Sequence, residues 1–226
     1  MLARDIYLGK IDGMLYGDDP AQGLVRGRRF IHGGLDLRFE APEGFALLNG
    51  TGQVTAAGPE GASIAFDRVQ VAQDLEVDDY LTRVWAKDVA LGDLERLSLD
   101  GFRAATGTLR LEQDGVAADV RIAAIRRGGE TVDRFVLTSP PSLTRLLAGP
   151  YRETLMSYGR PHPGELGSAR PYVLRVVPAP AGTGVAGLAG QMPFESHREE
   201  RFRVINGLAP GQEPQAGQLV KTIEAR

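Results

Sequence analysis

Residues 101–158, GFRAATGTLRLEQDGVAADVRIAAIRRGGETVDRFVLTSPPSLTRLLAGPYRETLMSY, decide the fold. Over 102–112, β-formers and small residues (Ala105, Thr106, Thr108, Leu109, Leu111) predict a strand, and Asp114-Gly115 suits the tight turn that joins antiparallel neighbours. A second strand is predicted over 116–125. Arg127-Gly128-Gly129-Glu130 then offers glycines for positive φ and returns the chain through a third strand over 131–138. Pro140-Pro141 ends the sheet and Ser142 is placed to cap a helix. In that helix Leu143, Leu146, Leu147, Tyr151, Leu155 and Tyr158 recur at helical spacing, a stripe suited to cover one face of the meander.

Upstream, residues 4–16 place Ile6, Tyr7, Ile11, Met14 and Leu15 on one helical face, and Gly17-Asp18-Asp19-Pro20 stops the helix. From Phe30 the chain reads as strand, with Leu35, Leu37 and Phe39 alternating against Asp36, Arg38 and Glu40. Short strands follow over 45–48, 53–57 and 62–66, separated by Asn49-Gly50 and Gly58-Pro59-Glu60-Gly61. Asp78-Asp79-Tyr80 opens a second helix whose apolar face is Tyr80, Leu81, Val84, Trp85 and Val89, with Trp85 read as a core residue. Downstream, 159–170 carries Arg160-Pro161-His162-Pro163-Gly164, which cannot continue a helix, and Gly167-Ser168. A smaller βααβ segment follows: strand 172–177, helices 185–192 and 198–204, a turn at Asn206-Gly207, and strand 217–223. The fold class is therefore α+β, a mainly antiparallel sheet with packed helices plus a small βααβ unit.

The 226 residues are 42% hydrophobic and 24% charged, which is ordinary globular composition and room for one large or two small domains. A net charge of −3 gives no general attraction for nucleic acid or anionic lipid, and the basic cluster Arg26, Arg28, Arg29 is too narrow a footprint. With no cysteine, disulfides, thiolate catalysis and cysteine zinc sites are all excluded. No apolar run approaches the ~20 residues that span a bilayer, and Met1-Leu2-Ala3-Arg4-Asp5 lacks the apolar core of a signal peptide.

Gly182-Thr183-Gly184-Val185-Ala186-Gly187 satisfies G-x-G-x-x-G between a predicted strand and helix. The rest of a dinucleotide fold is missing, since no second parallel strand ending in Asp or Glu follows, and Pro178 and Pro180 lengthen the loop. His32, His162 and His197 are scattered, and neither H-E-x-x-H nor G-x-S-x-G occurs. The neighbours Asp18-Asp19, Asp78-Asp79 and Glu199-Glu200 read as solvated faces, because adjacent helical side chains diverge and a hard cation wants several oxygens at set offsets. No catalytic, metal or cofactor site is expected in this chain.

The corner Phe39-Glu40-Ala41-Pro42-Glu43-Gly44-Phe45, with the crossing helix, long meander and terminal helix, resembles the PsbP-like α/β/α sandwich over 35–158. That resemblance implies a binding or assembly module without catalytic residues. The βααβ segment, with Tyr172-Val173, Gly182-Thr183, Asn206 and Gly217-Gln218-Leu219-Val220 in sequence, looks like a LysM-type module, but lacks the acidic residue such modules carry between glycine and threonine. It implies a glycan groove at Gly182, Thr183, Gly184 and Asn206, with peptidoglycan as the ligand. The opening 11–23, continuing through Val25-Arg26-Gly27-Arg28-Arg29-Phe30 and on to Glu199-Glu200-Arg201-Phe202-Arg203-Val204-Ile205-Asn206-Gly207-Leu208, resembles the region after the peptidase domain in bacterial HtpX/BepA-like zinc metallopeptidases. Because the H-E-x-x-H helix of that family is absent, the likeness implies a non-catalytic C-terminal region that positions substrate or anchors the enzyme. It further implies a periplasmic or envelope location and a peptidase domain or envelope protein as partner. The expected organisation is an N-terminal helix and connector over 1–30, a sandwich over 31–160, a linker over 161–170 and the LysM-like unit over 171–226.

Overall fold

The computed structural model describes residues 2–113 and 115–226, so Met1 and Asp114 of the expected hairpin turn lie outside the described residues. Two compact units are formed, one from Ala21–Leu166 and one from Met1–Pro20 with Gly167–Arg226.

In chain order the elements are α1 (Leu2–Ile11), β1 (Leu24–Arg26), β2 (Arg29–His32), β3 (Leu37–Glu40), β4 (Ala46–Gly50), β5 (Gln53–Ala57) and β6 (Ser63–Gln70). A short α2 (Val77–Asp79) runs into a π-helical turn (Tyr80–Trp85), followed by β7 (Gly92–Leu99), β8 (Phe102–Gln113), β9 (Val116–Gly128), β10 (Thr131–Ser139) and α3 (Thr144–Met156). Then come α4 (Glu165–Ser168), β11 (Tyr172–Pro178), α5 (Val185–Gly190), α6 (Arg198–Asn206) and β12 (Leu219–Ala225).

The larger unit is built on a seven-stranded antiparallel sheet in the order β4-β5-β6-β10-β9-β8-β7. The predicted meander is its central part, with β8 and β9 paired from Ala104↔Ile125 to Gln113↔Val116. Alternation along the strands separates two cores. On one face Phe66, Ala104, Ala123, Ile125, Phe135 and Leu137 meet α3 through Leu147, Tyr151 and Leu155, and meet the β1-β2-β3 sheet through Phe30, Leu37 and Phe39. On the other, Ala105, Val120, Ile122, Ala124 and Val132 meet Val77, Tyr80 and Leu81. Fully burying such a side chain contributes about 1.5–3 kcal/mol, so the three together contribute roughly 5–9 kcal/mol to holding α3 on the sheet.

Several sequence expectations need correction. Ser142 does not cap α3, whose N-cap is Leu143 without a side-chain bond. Instead Thr144 Oγ1 donates to Asp119 Oδ2 (2.6 Å), fastening the helix start to β9. The buried stripe is Leu147, Tyr151, Leu155 and Tyr158, whereas Leu146 is 68% exposed, one step off the i, i+4 row. In the second helix Ala86 N donates to Leu81 O, five residues back, and this wider winding turns Val84 to solvent, while Val89 lies past the helix end at Trp85 and is exposed. The N-terminal helix ends at Ile11 rather than Tyr16, because Gly13 takes φ +83 and the following residues pair with β11 through Tyr16 N–H to Tyr172 O (2.8 Å). Among its residues whose burial is described, Leu8 is the buried one; Ile6 and Tyr7, expected on the docking face, are exposed, as are Met14 and Leu15. Strand β7 was not expected. Its apolar alternation is broken by a bulge between Gly92 and Glu95, where Asp93 adopts φ +45.

Within the smaller unit β11 and β12 pair antiparallel from Tyr172↔Ala225 to Pro178↔Leu219. Val185, Leu188, Ala189 and Met192 of the first helical segment and Phe202 of α6 pack with Val220 and Ile223, which gives the expected βααβ order a core of its own.

Pairing of β6 with β10 rests on two Asp-Arg dipeptides run antiparallel, Asp133 opposite Arg68 and Arg134 opposite Asp67. Asp133 has 0% exposure and takes Arg68 Nε (2.5 Å) and Nη2 (2.8 Å) on one face. Arg134 donates Nε (2.8 Å) and Nη2 (2.5 Å) to Asp67 on the other. Removing one partner of a buried pair strands the other's charge at a cost of about 3–5 kcal/mol, whereas replacing both with apolar groups is often close to neutral. Asp133→Ala is therefore expected to lower stability by about that amount, and Arg68→Met combined with Asp133→Leu by clearly less. Urea unfolding followed through Trp85, the only tryptophan, measures both.

Candidate functional site

The loop expected to form a groove and two cavities of the larger unit gather polar side chains. The residues expected to form a glycan groove lie in the smaller unit. Gly182 takes φ +77, Thr183 N–H donates to Pro180 O (3.2 Å), and Gly184 is the N-cap of α5. The helix start already holds an anion, because Val185 N–H donates to Glu213 Oε2 at 2.6 Å and Glu213 Oε1 accepts Arg203 Nη2 at 3.3 Å. A Cβ on Gly184 would stand 2.7 Å from Glu213 Oε2, so a larger residue there would make this carboxylate shift. Glu213 thus occupies the amide that a dinucleotide phosphate takes in a G-x-G-x-x-G loop. Asn206, the fourth groove residue, spends its amide elsewhere: Nδ2 donates to Phe202 O (2.9 Å) and Lys221 O (2.8 Å), and Oδ1 accepts Lys221 N–H (2.7 Å). No hydrogen bond joins Asn206 to Gly182, Thr183 or Gly184 among the described residues.

In the larger unit a cleft of about 510 Å³ opens where β8 and β9 run on past α3. Its floor carries Thr108 and Arg110 of β8 with Asp119 and Arg121 of β9; Thr144, Ala148 and Tyr151 of α3 form one wall, and Gly92 and Asp93 of the β7 bulge form another. Asp119 is fixed by Thr144, but the two arginines here are loosely held. Arg110 Nη1 is 3.8 Å from Asp119 Oδ1, Arg121 Nη1 reaches only Thr106 Oγ1 (3.3 Å), and Thr108 Oγ1 reaches Asp93 Oδ2 (3.3 Å). Tyr151 donates to Thr138 O (2.5 Å), and burial pushes its pKa up to about 12, so its hydroxyl stays protonated.

The third place is a pocket of about 430 Å³ lined by Phe30, His32 and Leu35, the turn from Asn49 to Gln53, Val54, Phe66, Asp67 and Arg68. Behind it lies the Asp133 cluster. Tyr158 donates to Asp133 Oδ2 (2.5 Å), and burial together with that carboxylate holds the phenol far above its ordinary range. The bond to Asp133 raises the Arg68 pKa further. Arg127 lies 4.0 Å from Asp133 Oδ2, covers the Phe102 ring at 4.1 Å and donates to Leu35 O (3.1 Å) and Asp36 O (2.7 Å). His32 Nδ1 accepts Leu35 N–H at 3.2 Å, so that nitrogen carries no proton and Nε2 is the donor of the neutral ring. Sequence reading missed this cluster, although an aspartate inside Val132-Asp133-Arg134-Phe135 is its visible signal, since a strand rarely buries a carboxylate without a partner.

His32 and His162 lie in the larger unit, where His162 Nε2 accepts a bond from Arg38, and His197 caps α6 with φ +54 in the smaller one. Among the described residues no three of His, Asp and Glu converge as metal ligands would, and no helix is long and apolar enough to cross a membrane.

No family model and no curated protein matches the chain. Among solved structures it is similar to a Bacteroides thetaiotaomicron VPI-5482 protein at 12% identity and TM-score 0.45, over 70% of this chain and 55% of that one; it spans little more than half of that protein. It is also similar to cyanobacterial PsbP (CyanoP) from Synechocystis sp. PCC 6803, at 14% identity and TM-score 0.44, over 65% of this chain and 97% of that one. A third likeness is to LpqN of Mycobacterium tuberculosis, a protein involved in cell envelope biogenesis, at 13% identity and TM-score 0.42, over 55% of this chain and 83% of that one. At such identities the likeness concerns backbone shape alone.

Burial, with Arg68 adding its charge, lowers the His32 pKa below the ordinary 6.5. The folded state therefore prefers the neutral ring, and this contribution is complete above about pH 6.5 and lost as pH falls toward the lower native value. Thermal unfolding followed at Trp85 should show the midpoint dropping between pH 7 and pH 5, and His32→Gln, which keeps an acceptor for Leu35 N–H, should flatten that slope.

Proposed function

We propose that this chain is a non-catalytic binding module of the bacterial cell envelope, an accessory region that positions or anchors a zinc metallopeptidase. The observation that carries the reading is the contrast between two sets of ionisable groups. Those inside the large sheet are spent on one another, Asp133 on Arg68 and Tyr158 and Asp67 on Arg134. The two arginines of the 510 Å³ cleft, Arg110 and Arg121, are held more loosely, which suits recognition of a partner's complementary charges. The sequence likeness to the segment following H-E-x-x-H peptidase domains supplies the partner's class, and the three scattered histidines give the chain no such helix itself. The measurement is titration of the chain against a purified H-E-x-x-H peptidase domain from the same source. Arg110→Glu with Arg121→Glu should weaken binding about tenfold or more, and Arg83→Glu on an exposed helical position should not. No binding, or binding indifferent to the cleft reversal, defeats the reading.

A second reading, a free-standing cell-envelope binding protein that uses the LysM-like smaller unit on peptidoglycan, is favoured by its βααβ order alone. With Glu213 on the α5 amide and Asn206 saturated, we expect the whole chain to be retained weakly or not at all by purified peptidoglycan. Strong retention abolished by Thr183→Ala, with the fold intact, would reverse the order of the two readings.

A further inference from the structure

The 430 Å³ pocket is separate from the cleft, and its chemistry is more selective. Its walls are apolar, with the rings of Phe30 and Phe66 and the side chains of Val54 and Leu35, and its volume falls within the ~300–1,000 Å³ of small-molecule sites. Besides the exposed Gln22, Thr51 and Gln53, two donors on more deeply set side chains stand in this lining. Arg68 spends Nε and Nη2 on Asp133, which leaves Nη1 for the pocket that the residue lines. His32 accepts Leu35 N–H at Nδ1, which makes Nε2 a donor.

Charge points the same way. The buried cluster behind the pocket holds two guanidiniums, Arg68 and Arg127, against the single carboxylate of Asp133, and Tyr158 stays neutral. Arg127 has a side chain only 10% exposed and a buried Nη1 with no hydrogen-bond partner, so the cluster is one negative charge short of neutrality. Asp67, the one carboxylate lining the pocket, is already committed to Arg134. The amide nitrogen of Asn49 is spent on Gln22 O and Gly23 O. Of the two guanidiniums only Arg68 lines the pocket, and with His32 beside it among apolar walls the pocket suits a single anion with an apolar body.

We propose that the pocket between β2, the turn from Asn49 to Gln53 and β6 binds a small apolar monocarboxylic acid, with its carboxylate on Arg68 and His32 and its body against Phe30, Phe66 and Val54. A guanidinium and a carboxylate form strong charge-assisted bonds in such surroundings, and the aromatic walls reward an apolar tail. An uncharged analogue of the same shape leaves the excess charge uncompensated and binds more weakly.

The test uses the whole chain and two probes, 3-phenylpropionate and its uncharged counterpart 3-phenylpropanol, titrated by two-dimensional NMR. The acid should give saturable shifts at the amides of residues 30–35, 49–54 and 66–68 and bind about tenfold or more tightly than the alcohol. Because Arg68 also holds the sheet together, the variant of choice is Leu35→Glu, a residue 36% exposed at the pocket. It should keep the spectrum of a folded protein and lose the acid by about tenfold. Equal binding of acid and alcohol, shifts mapping elsewhere, no saturation up to the solubility of the acid, or an unchanged affinity in Leu35→Glu would each overturn the proposal. So would a peptide ending in phenylalanine that binds here where the free acid does not.

Discussion

The bond between Asp133 and Arg68 is the constraint that the larger unit depends on. A carboxylate with no exposure in the middle of a sheet is tolerable only where its partners are fixed, and the register of β6 against β10 fixes them. Slipping that pairing by one residue would set Asp133 opposite Asp67, or Arg134 opposite Arg68, like charges in either direction. Because Asp67-Arg68 and Asp133-Arg134 alternate across the pleat, one register satisfies both faces at once. The same carboxylate takes the hydroxyl of Tyr158, just beyond α3, so the helix that covers the sheet is fastened to the pair that aligns it.

On the opposite face, Arg134 ties the sheet to the segment that crosses it. Beyond its bond to Asp67 it reaches Tyr80 Oη (3.2 Å) and lies 4.8 Å from the centre of the Trp85 ring, which stacks on Tyr80. The π-helical turn brings Tyr80 and Trp85 together over one guanidinium. Arg126 serves the neighbouring loop in a similar way, donating to Val71 O, Ala72 O and Leu75 O, and so satisfies carbonyls that no strand partner reaches. Both arginines stand on strands whose sequence reads as apolar. At the sheet's edge the bulge at Asp93 interrupts β7, which blunts an exposed edge and leaves the space that becomes the cleft.

In the smaller unit, the stretch that looked most like a ligand loop is filled by the chain itself. Glu213 approaches the α5 amide closely beside Gly184, and in turn holds Arg203. A glycine-rich motif reports that something comes close to the backbone. Here that group is a carboxylate from later in the same chain.

By itself the sequence determined what is periodic and local. The meander from β8 to β10, the Leu147, Tyr151, Leu155 stripe, the α+β class and the βααβ order all follow from spacing and turn residues that act over a few positions. The end of the first helix was not legible in this way: the apolar face ran on to Tyr16 and Gly17 looked like the stop, whereas the chain leaves the helix at Ile11 and turns at Gly13. Only the tertiary structure decided the rest, because each remaining feature joins residues far apart in the chain. Nothing near Asp133 in sequence announces Arg68, nothing near Gly184 announces Glu213, and the extra residue that bulges β7 hides the alternation by which strands are read. Long-range pairs of charges are selected by which strands meet and in which register, and that choice is made by the whole folded sheet.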